Sequence, residues 1–316
     1  MEIIHSTSPG DIRLDAAKEK VVALGYFDGV HKGHQKVIKT AVDIAQEKGM
    51  QSVVMTFHPH PSVVLSPKSK RKSYITPPDV KAELFAELGI DVTYFIHFDR
   101  NFSRLSPQEF VDYYLIKLHA KHIVAGDDFT FGQKAAGNMV NINDYSRSMF
   151  NHTTVPFVNV NGEKVSSTII RSLIEEGDFS NVSTMLGRQY EIRGTVVHGD
   201  KRGRLLGFPT ANVSCSEEFI IPKNGVYLVN FDSQGRSLNG ICSVGVRPTF
   251  FDKEVPVTVE VYILDFHGDL YDQEVKVSWI KRLRDEEKFD SAEALIQRME
   301  QDKKEAAAFF MANGRI

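Results

Sequence analysis

His31 and His34, with Gly33 between them, are the side chains of this chain best suited to chemistry on phosphate. They close the block Gly25-Tyr26-Phe27-Asp28-Gly29-Val30-His31-Lys32-Gly33-His34. Ahead of it, Val21-Val22-Ala23-Leu24 reads as a buried strand. Behind it, from Gln35 to Lys48, Val37, Ile38, Ala41, Ile44 and Ala45 recur at helical spacing. The two imidazoles thus fall where a strand turns into a helix N-terminus, with unpaired backbone N–H groups and the positive end of a helix dipole. Gly29 and Gly33 let the backbone approach a ligand closely. Zinc is a poor fit, because no cysteine or carboxylate set stands near the pair at zinc-ligand spacing. The chain has neither G-x-x-x-x-G-K-[ST] nor G-x-G-x-x-G after a strand. The position suits holding a nucleotide's phosphates, although two histidines by themselves also read as surface or core-satisfied residues.

Three further segments of the first half carry reactive or polar groups. Thr56-Phe57-His58-Pro59-His60-Pro61 lies at a strand's carboxyl end, where a proline-stiffened turn would by itself explain it. Gly126-Asp127-Asp128-Phe129-Thr130-Phe131-Gly132 reads either as a functional loop or as a tight turn with a hydrophobic anchor. Val165-Ser166-Ser167-Thr168-Ile169-Ile170-Arg171 is a hydroxyl-rich helix start that capping alone accounts for, with Ser167 and Arg171 on one face.

A second constellation lies beyond residue 190. The run from His198 to Asn212 joins Gly199, Gly203 and Gly207 to the cations Lys201, Arg202 and Arg204, ahead of Pro209-Thr210-Ala211-Asn212. A basic surface loop explains residues 199 to 204 as well as a phosphate-closing loop does. Thr210 and Asn212, two apart on an extended segment, present oxygens to one side, and hard oxygens are what Mg²⁺ takes. Glu260 stands inside the apolar alternating run Val259 to Phe266, either as an outward-facing strand residue or as a carboxylate base.

The elements that must position these groups change period along the chain. The first half alternates strands and helices: Ser52 to Phe57 and Val92 to Phe98 read as strands, as does His122 to Gly126. Between them, one helix runs from Thr76, as its cap, to about Leu88. Another opens on the capping box Ser106-Pro107-Gln108-Glu109. This order predicts a doubly wound parallel sheet of α/β class, with ligands at the carboxyl ends of its strands. From about residue 182 the alternation becomes strand-like, at 191–198, 225–231, 255–264 and 274–280, and one helix follows from Ser291 to about Phe310. A small antiparallel β-barrel with a C-terminal helix is expected there. The two domains are therefore drawn as 1–182 and 183–316.

Composition narrows the class. The chain has 316 residues, 42% hydrophobic and 25% charged, as an ordinary globular protein of two domains would. A net charge of −3 gives no bulk attraction to nucleic acid or anionic membrane. The basic run Lys68 to Lys72 reads as a solvated loop. No apolar stretch approaches a membrane span, no secretory signal opens the chain, and two cysteines are too few for a disulfide framework. Cytoplasmic residence is expected, with neither nucleic acid nor membrane as partner.

Taken together, the first-half segments resemble the adenylyltransferase module of bacterial FAD synthetases. The Gly207-Phe208-Pro209-Thr210-Ala211-Asn212 run resembles the ATP–Mg²⁺ motif of riboflavin kinases, and nearly the whole chain is similar to the bifunctional riboflavin kinase/FAD synthetase family. The resemblance implies that the chain phosphorylates riboflavin to FMN and then joins FMN to AMP, giving FAD and pyrophosphate, with ATP as co-substrate and Mg²⁺ at both sites. It implies ATP contacts in the first module from Gly25, Phe27, Asp28, His31, His34, Asp128, Ser166, Ser167, Thr168 and Arg171. In the kinase it implies ATP contacts from Gly199, Lys201, Gly203, Gly207, Pro209, Thr210 and Asn212, with Thr210 and Asn212 on the metal. Glu260 would be the kinase base, and His31 and His34 catalytic in the first module. Phe57, His58, Pro59, Phe129, Arg284 and Glu287 would border flavin. The pattern departs at Ile169, where many relatives carry arginine. Two rivals stay open: one live activity only, or a flavin-sensing regulator.

Overall fold

The computed structural model describes residues 1–12, 18–66, 73–199, 203, 206–216, 218–246 and 257–314. Lys201, the basic run 68–72 and residues 247–250 lie outside the described residues. By its internal contacts the chain divides into two compact units, Met1–Ser167 and Thr168–Ile316.

In the first unit six strands form one parallel sheet: β1 (Glu2–Ser6), β2 (Lys20–Leu24), β3 (Gln51–His58), β4 (Val92–His97), β5 (Ala120–Gly126) and β6 (Asn151–Val155), in the order β1-β4-β3-β2-β5-β6. Every residue of the central strand β2 is buried, as a parallel strand covered on both faces requires. On one face α1 (Lys32–Lys48) sets Val37, Ile38, Ala41 and Ala45 against Val21, Ala23 and Val124, joined by Phe85 of α3 (Pro78–Glu87). A short α2 (Pro61–Leu65) lies between them in the chain. On the other face α4 (Pro107–Phe110) continues as a π-helical turn through Val111–Ile116, and Phe110, Tyr114 and Leu115 pack with Val22, Leu24 and Ile123. Ile142 of α5 (Ile142–Tyr145) joins that side. The sheet is doubly wound.

Two helix starts differ in kind. The Ser106–Glu109 capping box forms in full: Ser106 Oγ accepts from the Glu109 N–H and the Glu109 carboxylate accepts from the Ser106 N–H. Thr76 does not cap α3. That helix begins at Pro78 with no side-chain cap on its first turn, and the Thr76 N–H instead donates to Asp28.

The division between units falls at the start of α6 (Ser167–Glu176), and α7 (Phe179–Leu186) follows it. Strands β7 (Tyr190–Val197), β8 (Thr210–Cys215), β9 (Gly225–Ser233), β10 (Arg236–Val246), β11 (Val257–Ile263) and β12 (Glu274–Arg284) close an antiparallel barrel in the order β7-β8-β11-β10-β9-β12. α8 (Ala292–Ala312) lays Ala306 and Phe310 on Val226, Leu228 and Ile241 of the barrel's outer face. The contact division lies earlier than residue 182 for a physical reason. Phe179 of α7 stacks on the fully buried Trp279 at 5.3 Å and on Tyr190 at 6.1 Å, so this helix packs with the barrel. A buried ion pair fixes α8: Arg284 donates from Nε and Nη2 to the Asp302 carboxylate, at 3.0 and 2.7 Å.

Candidate active sites

The first site is built on the junction between β2 and α1. His31 is the helix N-cap, so the helix begins at Lys32, three residues earlier than its apolar spacing implied, and both histidines belong to its mouth. The His31 Nδ1 accepts from the His34 N–H at 3.3 Å, satisfying one of the first-turn donors. The two rings stack with centroids 3.5 Å apart and planes 16° from parallel, and Phe27 meets His34 edge-on at 5.3 Å. Gly33 leaves room for this stacking, because a Cβ would come 3.1 Å from the His31 ring, tighter than an ordinary contact.

The loop that delivers this pair is held from several sides. Its backbone turns left-handed at Phe27 (φ 55°), Gly29 (φ 88°) and Val30 (φ 40°), and a side chain bearing Cβ resists that region. The Gly25 position would bring a Cβ within 2.6 Å of the Phe27 ring. Asp28 is buried, and its Oδ1 accepts from the backbone N–H groups of Ile75 and Thr76 at 2.9 and 3.2 Å. The Asp28 carbonyl accepts from Ser167 Oγ at 2.8 Å. Asp28 thus ties the histidine loop to segment 75–76 and to the start of α6. Ser166 directly precedes that start, and Thr168 and Arg171 follow Ser167 along α6, past the point of division.

The other first-unit candidates scatter around the carboxyl ends of the strands. Phe57 is packed in the core beside Phe102, while His58 ends β3 opposite His97 of β4 and precedes Pro59 through a cis bond. Burial pushes the His58 imidazole below its ordinary pKa, and the charges of Lys81, His97 and His5 push the same way. Asp128 is exposed and lies 3.5 Å from the Lys164 ammonium, and Phe129 stacks beside Phe131. Sequence reasoning missed Lys81 and gave Thr56 no part of its own. Both donate to the Tyr26 carbonyl at 2.9 Å, and Lys81 is 2% exposed on α3. A lysine among Val80, Ala82 and Phe85 on a packed helix was the available signal.

The second site lies on one side of the β8–β11 ladder. Asn212 stands opposite Glu260 and Thr210 opposite Tyr262, and directly paired residues share a face. The intervening Ala211, Val213, Val259 and Val261 are buried, so the four polar or aromatic positions project from the other face. Thr210 Oγ1 donates to Glu260 Oε2 at 3.3 Å. Gly199 lies against Asn212 so closely that an added Cβ would overlap its side-chain amide. Gly203 accepts from the N–H groups of Leu206 and Phe208 at 3.1 and 2.8 Å, winding the chain back toward Pro209. Gly207 completes that turn at φ 85°, a left-handed value that favours glycine. Among the described residues no group of three or more His, Cys, Asp and Glu could hold a metal ion. A metal here would rest on the oxygens of Thr210 and Asn212 and on ligand phosphates, a donor set that suits Mg²⁺.

Arg284 ends β12, and Glu287 follows it in the segment before α8. The Arg284 guanidinium is committed to Asp302, with Glu287 Oε1 at 4.0 Å from its Nη1. Tyr227 donates from its hydroxyl to the Lys223 carbonyl, and Arg282 donates to that hydroxyl at 3.4 Å. Burial raises the Tyr227 pKa against the lowering effect of Arg282.

Comparison with known proteins follows the same division. Residues 14–169 match the family described as FAD synthetase and residues 186–310 the family described as riboflavin kinase. A bifunctional riboflavin kinase/FMN adenylyltransferase of Listeria monocytogenes is 48% identical over 92% of each chain. That of Bacillus subtilis is 43% identical over 98% of each. A solved structure from Streptococcus pneumoniae, described as a macrolide-efflux protein, is 34% identical, covers 96% of this chain and 98% of its own, and superposes with a TM-score of 0.90. No helix among the described residues is long and apolar enough to cross a membrane.

Proposed function

Because the chain belongs to the bifunctional riboflavin kinase/FMN adenylyltransferase family, we propose that its two sites carry out two successive ATP-dependent steps on one flavin, with the residue roles that follow. The second unit phosphorylates riboflavin to FMN. The first joins FMN to the adenylyl group of ATP and releases pyrophosphate.

In the kinase step Glu260 takes the proton from the ribityl 5′-hydroxyl as its oxygen attacks the γ-phosphorus, and ADP leaves. A carboxylate in that role contributes roughly 10²–10⁴ in rate. The Thr210 hydroxyl hydrogen-bonds that carboxylate, which fixes its direction. Gly199, Gly203, Gly207 and Pro209 border the nucleotide, Lys201 is assigned to it by resemblance alone, and Thr210 and Asn212 would hold Mg²⁺. When bound, the ion neutralises phosphate charge.

In the adenylyl step the FMN phosphate oxygen attacks the α-phosphorus in line with the departing pyrophosphate. Both reactants are anionic, so the site works by alignment and charge neutralisation, without a covalent nucleophile. His31, His34 and the N–H groups at the mouth of α1 receive the phosphates. Ser166, Ser167, Thr168 and Arg171 complete the nucleotide contacts with Asp128. Phe57, His58, Pro59 and Phe129 border the flavin in the first unit and Arg284 and Glu287 in the second, and Mg²⁺ bound with ATP would neutralise phosphate charge. The two free thiols, Cys215 and Cys242, suit a reducing compartment such as the cytoplasm.

The observation that carries this reading is the Glu260, Thr210 and Asn212 cluster on one face of a barrel ladder, since a regulator that only senses flavin has no need of a base beside hard oxygens. Purified protein with riboflavin, ATP and Mg²⁺, followed by chromatography, should yield FMN first and FAD after it. Flavin binding without either product would favour a sensor, and FMN alone would leave a single activity.

A further inference from the structure

Lys81 is a costly residue to keep where it is. It is 2% exposed on the packed face of α3, among Val80, Ala82 and Phe85. Placing an ammonium there is expensive compared with an apolar side chain of the same length. Its Nζ donates to the Tyr26 carbonyl at 2.9 Å and stands 4.4 Å from the centre of the Tyr26 ring. Thr56 Oγ1 donates to the same carbonyl. Tyr26 is the last residue before the left-handed turn at Phe27, Gly29 and Val30, and that turn ends on His31. Strained backbone of this kind persists only where surrounding contacts over-determine it.

We propose that Lys81 is a positioning residue of the adenylyl-transfer site, its buried ammonium fixing the Tyr26 main chain and through it the turn that presents His31 and His34. The proposal rests on the reading that the first unit transfers adenylyl groups. Lys81 has a second consequence at the same strand ends. Among the described residues, His5 from β1, His97 from β4, Lys81 from α3 and the Tyr74 ring at 5.7 Å face His58. Burial first, and then the Lys81 charge, push the pKa of that imidazole below its ordinary value. One side chain therefore both holds the histidine loop and adds to the groups that disfavour protonation of a neighbouring histidine.

The test uses the full chain with Lys81→Met and Lys81→Arg, assayed separately for FAD formation from FMN and for riboflavin phosphorylation. Lys81→Met should lower kcat for FAD formation about 100-fold, as misplacement of reacting groups does, with little change in the KM for ATP. Phosphorylation of riboflavin should continue. The acid limb of the FAD-forming pH profile should move to higher pH, because His58 gains its proton more easily once the ammonium is gone. NMR titration of the His58 ring, assigned with His58→Gln, reads that shift without turnover. Lys81→Arg keeps charge and donors, so it should keep the wild-type acid limb and recover most of kcat. Near-wild-type FAD formation by Lys81→Met overturns the proposal. So does an equal loss in both variants with an unmoved His58 titration, since that is plain loss of packing. If thermal melting shows Lys81→Met unfolded, Lys81→Gln replaces it under the same criteria. Failure of the wild-type chain to make FAD from FMN refutes the adenylyl-transfer reading itself, whereas wild-type turnover with unaffected variants refutes only the role of Lys81.

Discussion

The two candidate sites, which we propose hold phosphate groups, are built by opposite means. In the first, the binding surface is main chain: a strand ends, the backbone turns left-handed three times within four residues, and a helix mouth opens beneath two stacked imidazoles. Its side chains largely serve that backbone, as Asp28 does through Ile75 and Thr76. In the second, the ladder is regular and the chemistry projects from it. Thr210, Asn212 and Glu260 take their places from strand register, and glycines let a loop lie against them. A loop-built site depends on what pins the loop. A ladder-built site depends on single side chains, because the scaffold survives their loss. Substitutions should therefore separate the two activities, and the ladder should lose most from the smallest chemical change.

Glu260→Gln is that change. It preserves shape and one hydrogen-bonding oxygen while removing the base, so riboflavin kinase kcat should fall by about 10²–10⁴, roughly 3–5 kcal/mol. FAD formation from supplied FMN should be untouched. Steady-state kinetics with riboflavin and ATP affinities measured alongside decide it, and near-normal kinase turnover would remove Glu260 from the chemistry.

His34→Ala is the counterpart in the first unit. It removes the ring stacked on His31, and FAD formation should fall by about 10²–10³, the scale of losing one preorganised charge-stabilising group. Riboflavin phosphorylation should persist. Equal loss of both activities in a folded variant would break the separation. A smaller effect is expected from Gly199→Ala, whose Cβ would meet the Asn212 amide. Overpacking of this kind costs about 1–3 kcal/mol, and here it should appear as a raised KM for ATP in the kinase reaction with FAD formation unchanged.

The same contrast explains what was legible in the sequence. The histidine block is contiguous, so strand, turn and helix mouth could be read from ten residues, although apolar spacing began the helix at Gln35 and the cap is His31. The barrel was legible as a change of period. Strand β10 was not, because Gly240, Gly245, Ser237 and Asn239 interrupt its apolar alternation, and it is defined by pairing with β9 and β11. Lys81 and Asp28 could not be read as a support for one loop, since their partners lie 55 and 47 residues away in the chain. Arg284 illustrates the reverse case. Resemblance to the family gave it a flavin contact, and its guanidinium meets a carboxylate eighteen residues on, a pairing that no local reading supplies.

The smallest effect is expected where the comparison is cut in two. If the kinase site is complete within its own unit, a fragment of residues 168–316 should fold and phosphorylate riboflavin with a kcat close to that of the full chain, and it should form no FAD. The choice of end point matters. A fragment beginning at Ser183, where the change of period places the boundary, loses Phe179, the ring stacked at 5.3 Å on Trp279 and at 6.1 Å on Tyr190. Truncating a buried aromatic costs about 3–5 kcal/mol, a large share of a small domain's stability of about 5–15 kcal/mol. The shorter fragment should therefore melt well below the longer one by circular dichroism, and its kinase activity should be lost first on warming. Phe179→Ala in the 168–316 fragment should reproduce that lowered melting point, which assigns the effect to one ring rather than to chain length. Equal stability of the two fragments would show that α7 is dispensable to the barrel. A folded 168–316 fragment without kinase activity would mean that the second site draws on the first unit, and the separation argued from register would fail.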